Sequence, residues 1–378
     1  MTSGKLRNTM LTTALALCLM SAGASGPTCG HCCTDSVSVA DHLISRLAKV
    51  QAAGKTLFGH SDDTAYGTHW WATPGRSDVL SACGDYPAMI NWDLGMMEMG
   101  SARNLDSVSF QLIRSEAVKQ HLRGGINSFS WHPRNIRTLE DSWSLRDTGD
   151  AVKDAVTPGT PEHALMTQWL DTIARYVASI KTDCGEKVPV IFRPWHEQSG
   201  SWFWWSMACT TPESYRELWK ITREAFERNG ADNVVWAFCP DKVTSAEEYM
   251  LTYPGDELVD IFGTDVYHFN NPSGLEDYVR LLETSLGTAR DEALKRGKIF
   301  ALTETGNEGL QFPDWYMSVL LPQLEKYRPA YVCIWRNALQ TKNPGHFYVP
   351  YPGHPQEESF SRFRQNDITL FAPEATKY

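Results

Sequence analysis

Pro189-Val190-Ile191-Phe192-Arg193-Pro194-Trp195-His196-Glu197 reads as a short apolar strand that runs straight into polar and aromatic side chains. A run of this length, β-branched and bounded by Pro, has the character of a strand buried on both faces. Further on, Thr211-Pro212 pairs a capping hydroxyl with Pro at the first helical position, and an amphipathic stretch follows to Asn229. The same strand, polar turn and helix recur along the chain. Strands are expected at 57–59, 87–92, 125–131, 189–194, 233–238, 259–266, 299–303 and 331–335. Helical patterns fill 39–52, 107–123, 161–181, 212–229, 275–296 and 314–327, with Gly230 and Gly297 where helix ends favour a left-handed residue. Eight such strands point to a parallel sheet covered on both sides, and eight closes a (β/α)8 TIM barrel. An open doubly wound sheet is the alternative, but no G-x-G-x-x-G follows the first strand.

The chain has 378 residues, long enough for two domains of ordinary size, yet α/β barrels fill this length as one. No linker, repeat or composition break divides it, so residues 39–378 are expected to form a single α/β barrel domain. Aromatic residues are abundant: 14 Trp, 14 Tyr and 15 Phe, which suits a site that covers the apolar faces of sugar rings, although core packing will use many of them. The formal net charge of −10, with no basic cluster, argues against nucleic acid as a partner.

Residues 1–24 have the pattern of an export signal. Lys5 and Arg7 precede an apolar run from Met10 to Met20, and Ala22-Gly23-Ala24 offers a small-residue cleavage site. Cleavage there would take the net charge from −10 to −12. Cys18 offers an alternative lipid-anchored processing, against which the bulky Leu17 counts. Residues 25–38 form a short Cys-rich extension. Its Cys29-Gly-His-Cys32-Cys33 lacks the second half of a metal knuckle, so a flexible mature N-terminus or a local disulfide is the preferred reading.

Barrel chemistry sits where strands end. Here those ends read Gly59-His60-Ser61-Asp62-Asp63, Asn91-Trp92-Asp93, Ser130-Trp131-His132-Pro133, Arg193-Pro194-Trp195-His196-Glu197, Asp265-Val266-Tyr267-His268, Thr303-Glu304-Thr305-Gly306 and Ile334-Trp335-Arg336-Asn337. Two of them carry Glu, on the fourth and seventh strands, which lie three steps apart in an eight-stranded barrel. Two carboxyl groups facing across the mouth are what glycoside hydrolysis needs: one protonates the leaving oxygen, and the other attacks the anomeric carbon. Glu197 is followed by Trp202-Phe203-Trp204-Trp205, whose ring surface would desolvate a carboxyl and keep its proton. Glu304 shares the mouth with Tyr267 and Arg336, a hydroxyl and a cation that favour a carboxylate nucleophile. His60 and His268 are as well suited to structural roles as to ligand contacts.

These segments, with Phe58-Gly59-His60, resemble glycoside hydrolase family 26, best known for endo-β-1,4-mannanases, over nearly the whole chain after the leader. The resemblance implies a retaining, endo-acting double displacement on β-1,4-mannosidic bonds of mannan, glucomannan or galactomannan, with Glu197 as acid/base and Glu304 as nucleophile. It implies that Tyr267 hydrogen-bonds the nucleophile and that His196 and Trp202 line the cleavage point. Trp335 would lie under the sugar there, and Arg336 and His132 would touch the glycone side. Asp265 fits a role in the fold as well as one toward ligand. Gln198-Ser199-Gly200 and Ser206 depart from many relatives and affect the shape of the loop after the fourth strand. Other β-linked glucans, xylans and exo-type mannobiose release remain alternatives within the family, and distal subsites fall on 143–158 and 270–275. No motif for a cofactor or an obligate protein partner stands out. Two rival functions follow from the same residues: a non-catalytic carbohydrate-binding barrel, and a metal-dependent hydrolase using His60, His132, His196 and Asp265.

Overall fold

The computed structural model describes residues 37–145, 149–269 and 274–378. The expected leader and nearly all of the Cys-rich extension lie outside them, as do parts of both loops expected to carry distal subsites.

The barrel strands are β1 (Thr56–Ser61), β2 (Met89–Asp93), β3 (Ile126–Ser130), β4 (Val190–Arg193), β5 (Val234–Phe238), β6 (Ile261–His268), β7 (Ile299–Asn307) and β8 (Tyr331–Ile334). Each pairs in parallel with its sequence neighbour, and β8 returns to β1 through Leu57↔Tyr331 to His60↔Ile334, which closes the barrel. A short strand at Thr369–Leu370 adds to the start of β1, and a small hairpin pairs Tyr66–Gly67 with Trp70–Trp71.

Strand alternation sorts the side chains into two cores. On β4, Val190 and Phe192 face the helices, while Ile191 joins Leu57, Val235, Ala237, Ile261, Ala301 and Tyr331 inside the barrel. Helices Pro161–Ala178 and Pro212–Arg228 start as expected, with the Thr160 and Thr211 hydroxyls accepting from the third backbone N–H beyond and Pro at the first helical position.

Two strands run further than their apolar content suggests. Strand β6 continues to His268 and β7 to Asn307, paired Asp265↔Glu304, Val266↔Thr305, Tyr267↔Gly306 and His268↔Asn307 after a register shift at Thr264/Asp265. A bulge of this kind re-aims side chains beside a site. It puts Asp265, Tyr267 and Glu304 on rigid strand rather than on loops.

Candidate active site

The two glutamates meet at the barrel mouth. Glu197, Asp265 and Glu304 each bring one oxygen to within 4.8 Å of the others. Glu304 is buried at the mouth end of β7, where the Tyr267 hydroxyl donates to its Oε2 at 2.7 Å and Arg193 Nη2 donates to its Oε1. Arg193 also donates from Nη1 to Asp265 Oδ2 at 2.7 Å, and the Thr303 hydroxyl donates to Asp265 Oδ1 at 2.6 Å. The guanidinium beside Glu304 is therefore that of Arg193. Arg336, expected in that place, instead pairs with Asp106 at 2.7 Å and with the Tyr66 hydroxyl at 3.2 Å. A carboxylate trio has donors for a hard cation, but here the Arg193 cation already lies against two of its three members.

Arg193 and Asp265 are fully buried, so their pairing is a matter of stability as well as of position. Removing one partner of a buried pair leaves the other's charge uncompensated, at a cost of about 3–5 kcal/mol. Arg193→Met, which keeps most of the volume, should lower unfolding free energy by about that amount in urea titrations. A variant as stable as the parent would mean that the carboxyls meet the loss by taking up a proton.

Glu197 sits on a loop of unusual backbone. Trp195 and Glu197 have φ of 55° and 57°, in the left-handed region that residues with a Cβ rarely adopt. The surroundings enforce it: Tyr215 donates to the Trp195 carbonyl at 2.8 Å, and the Glu197 N–H donates to the Cys239 carbonyl at 2.8 Å. Strain held in this way is common where a side chain must be aimed. Trp202 Nε1 donates to Glu197 Oε2 at 2.7 Å, and a Cβ on Gly200 would stand 2.5 Å from the Trp202 ring, so glycine is what lets the indole close over the loop. Burial, with the nearby charges of Asp265, Glu304 and Asp241, pushes the Glu197 carboxyl well above the usual carboxylate range. The same logic raises Asp265 to about 8, by burial first, with Glu304 adding to it and Arg193 opposing.

A histidine relay flanks the pair. His132 Nδ1 lies 2.5 Å from Asp93 Oδ2, and His132 Nε2 lies 3.1 Å from His196 Nε2. Donors and acceptors fit if His132 donates to Asp93 and accepts from His196. Burial, then the charge of Arg193, lowers the His196 imidazole well below its usual range, so it is neutral. His60 is turned to Asp63 at 2.7 Å, and among the described residues His60, His132, His196 and Asp265, the four groups of the metal-hydrolase alternative, form no cluster that could hold a metal. Among the described residues, the metal-capable cluster is the Glu197, Asp265 and Glu304 trio. Trp335, Arg336 and His132 line a neighbouring cavity of about 190 Å³.

The sequence places Arg193 and Asp62 at strand ends without giving either a role, and it does not single out Asp106. Parity was the available signal for Arg193, because it lies two residues after the inward-facing Ile191. Asp106 has no such signal, since its partner Arg336 lies far away in the sequence, just after β8.

Comparison with known proteins places this arrangement. The model of the family described as glycosyl hydrolase family 26 matches residues 34–318. A mannan endo-1,4-beta-mannosidase from Bifidobacterium adolescentis is 28% identical over 344 residues, which cover 86% of this chain and 34% of that protein. The chain thus spans about a third of that relative's length. A second mannan endo-1,4-beta-mannosidase, from Bacillus subtilis, is 27% identical over 87% of this chain and 89% of its own. Among solved structures, a family 26 beta-mannanase from Bacteroides ovatus superposes with a TM-score of 0.85 at 40% identity, covering 90% of this chain and 97% of that one.

Proposed function

The chain belongs to glycosyl hydrolase family 26, and from that premise we propose that it is a retaining, endo-acting hydrolase of β-1,4-mannosidic bonds in mannan, glucomannan or galactomannan. In this reading Glu304 attacks the anomeric carbon while Glu197 gives its proton to the leaving oxygen. Glu197 then takes a proton from the water that releases the glycosyl-enzyme.

One observation carries the proposal. Oxygens of Glu197 and Glu304 come within 4.8 Å of each other. Retaining pairs stand about 5–5.5 Å apart, whereas inverting pairs leave room for a water at about 6.5–9.5 Å. The surroundings fit the two roles. Glu304 offers its oxygens from a strand, between Arg193 and Tyr267, so little reorganisation precedes attack. Glu197 keeps its proton by burial and by like charges, as a general acid must.

The remaining contacts follow by position. Trp202 steadies Glu197, Tyr267 steadies Glu304, and His196 faces the cleavage point with His132 behind it. Trp335 lies under the sugar, and Arg336 reaches the glycone. Mannan as substrate rests on the names of the relatives. We also propose that the protein is exported, on the strength of the charged and then apolar leader at residues 1–24.

Proton NMR of early product from soluble mannan should show the β-anomer first, with the α-anomer growing only by mutarotation. An α-anomer burst would remove Glu304 as nucleophile. Parallel assays on β-glucan and xylan decide the substrate class.

A further inference from the structure

Two loops meet beside Glu197. The loop after β4 carries Glu197, Ser199 and Trp202, and the loop after β5 carries Cys239, Pro240, Asp241 and Lys242. They are joined three times. The Glu197 N–H donates to the Cys239 carbonyl at 2.8 Å, and the Ser199 hydroxyl donates to the Asp241 carbonyl at 3.2 Å. The third link is the Lys242 ammonium, which lies over the Trp202 ring, 5.2 Å from its centre. Asp241 is itself tied to the sheet: it bridges in parallel to Asp265, whose N–H donates to the Pro240 carbonyl at 3.0 Å.

Lys242 stands apart from the backbone links. Its side chain is 41% exposed, and an exposed lysine ordinarily keeps its rotamer freedom in water. Here Nζ donates to Oδ2 of the buried Asp241 at 2.6 Å. The carboxylate thus holds the ammonium at one point, within the roughly 6 Å over which an indole face attracts a cation. A half-exposed ion pair contributes little to stability. What matters is where this one leaves its charge: against the indole whose N–H donates to Glu197 Oε2 at 2.7 Å.

We propose that Lys242 is a positioning residue for the proton donor: anchored by Asp241, it fixes the Trp202 indole so that Glu197 presents its proton from Oε1 to the leaving oxygen. An indole N–H can only donate. While it donates to Oε2, that oxygen stays an acceptor and the proton rides on Oε1. An indole free to swing would leave the proton to either oxygen and let the carboxyl turn. Arg193, Asp241, Asp265 and Glu304 face Glu197 too, and they set how firmly the proton is held. Through Trp202, Lys242 sets which oxygen holds it.

This inference rests on the glycosidase reading, and two aryl β-1,4-mannobiosides test it, neither of which puts a sugar on the leaving side. Phenolate needs a proton to leave and dinitrophenolate does not. Lys242→Met keeps the length and removes the cation. With kcat/KM taken at the plateau of each pH profile, the phenyl substrate should lose roughly three- to thirtyfold in this variant. The dinitrophenyl substrate should stay within about twofold of the parent. Lys242→Arg, whose guanidinium also stacks on rings and pairs with carboxylates, should recover most of the phenyl activity. Equal losses on both substrates would make Lys242 a structural residue and overturn the inference, as would no loss on either. A loss confined to mannan would place Lys242 against the departing sugar and overturn it as well. A parent protein inert on both aryl substrates and on mannan would instead overturn the glycosidase reading, and this inference with it.

Discussion

Glu304→Ala is expected to lose about 10⁴–10⁶-fold in kcat/KM, on polymer and on activated aryl glycosides alike. In the proposed mechanism the carboxylate supplies the attacking atom, so a better leaving group has nothing to leave in favour of. The folded state should persist. Arg193 loses one of its two anionic partners but keeps Asp265 at 2.7 Å, and Asp265 keeps the Thr303 hydroxyl at 2.6 Å. Thermal melting within a few degrees of the parent would separate lost chemistry from lost structure. Azide is small enough to enter the space of the missing side chain and would attack from the same face, so any product it forms should be the α-glycosyl azide. A β-azide from this variant would exchange the roles of the two glutamates.

The fold was open to reading because its signals are local. Each barrel strand overlaps an expected run, and Thr160-Pro161 and Thr211-Pro212 mark helix starts that depend only on their own few residues. The ends of β6 and β7 were not legible. Thr303-Glu304-Thr305-Gly306 lacks the apolar character of a strand, and it stays in the sheet because Asp265 to His268 pair with it after the register shift. That is a tertiary effect, beyond what either segment prefers alone.

The site divides in the same way. Glu197 and Glu304 could be found because each follows an apolar run at a strand end. The cation that serves Glu304 was misassigned to Arg336, since both arginines sit at barrel-strand ends. Alternation decides between them. Ile191 faces the barrel interior, so Arg193, two residues on, faces inward as well, fully buried among carboxylates. Arg336 is held by Asp106, which comes from the loop after β2 and has no sequence relation to it. Long-range partners of this kind are set by the fold and carry no motif.

Glu197→Ala should behave differently from Glu304→Ala, and the difference is chemical. On mannan the leaving group is a sugar alkoxide that must be protonated, so loss of the acid should cost about 10²–10⁴-fold. A dinitrophenolate leaves without a proton, so with the dinitrophenyl β-mannoside the first step should survive. Release then becomes limiting, because the group that deprotonates water is gone. A burst equal to the enzyme concentration, followed by slow turnover, is the expected trace. Azide needs no base, so it should restore turnover and give the β-glycosyl azide. The pH profile supplies an independent check. Burial and the charges of Asp265, Glu304 and Asp241 hold the Glu197 proton well above the ordinary range, so polymer cleavage should fall as pH rises and that proton is lost. Asp265, raised to about 8, sits in the same cluster, so the alkaline limb alone belongs to the group rather than to one residue. Glu197→Ala resolves it. If Glu197 is the acid, the variant's residual cleavage of mannan loses the alkaline limb; if the limb stays, the proton that matters lies on Asp265, and Glu197 must give up the acid role.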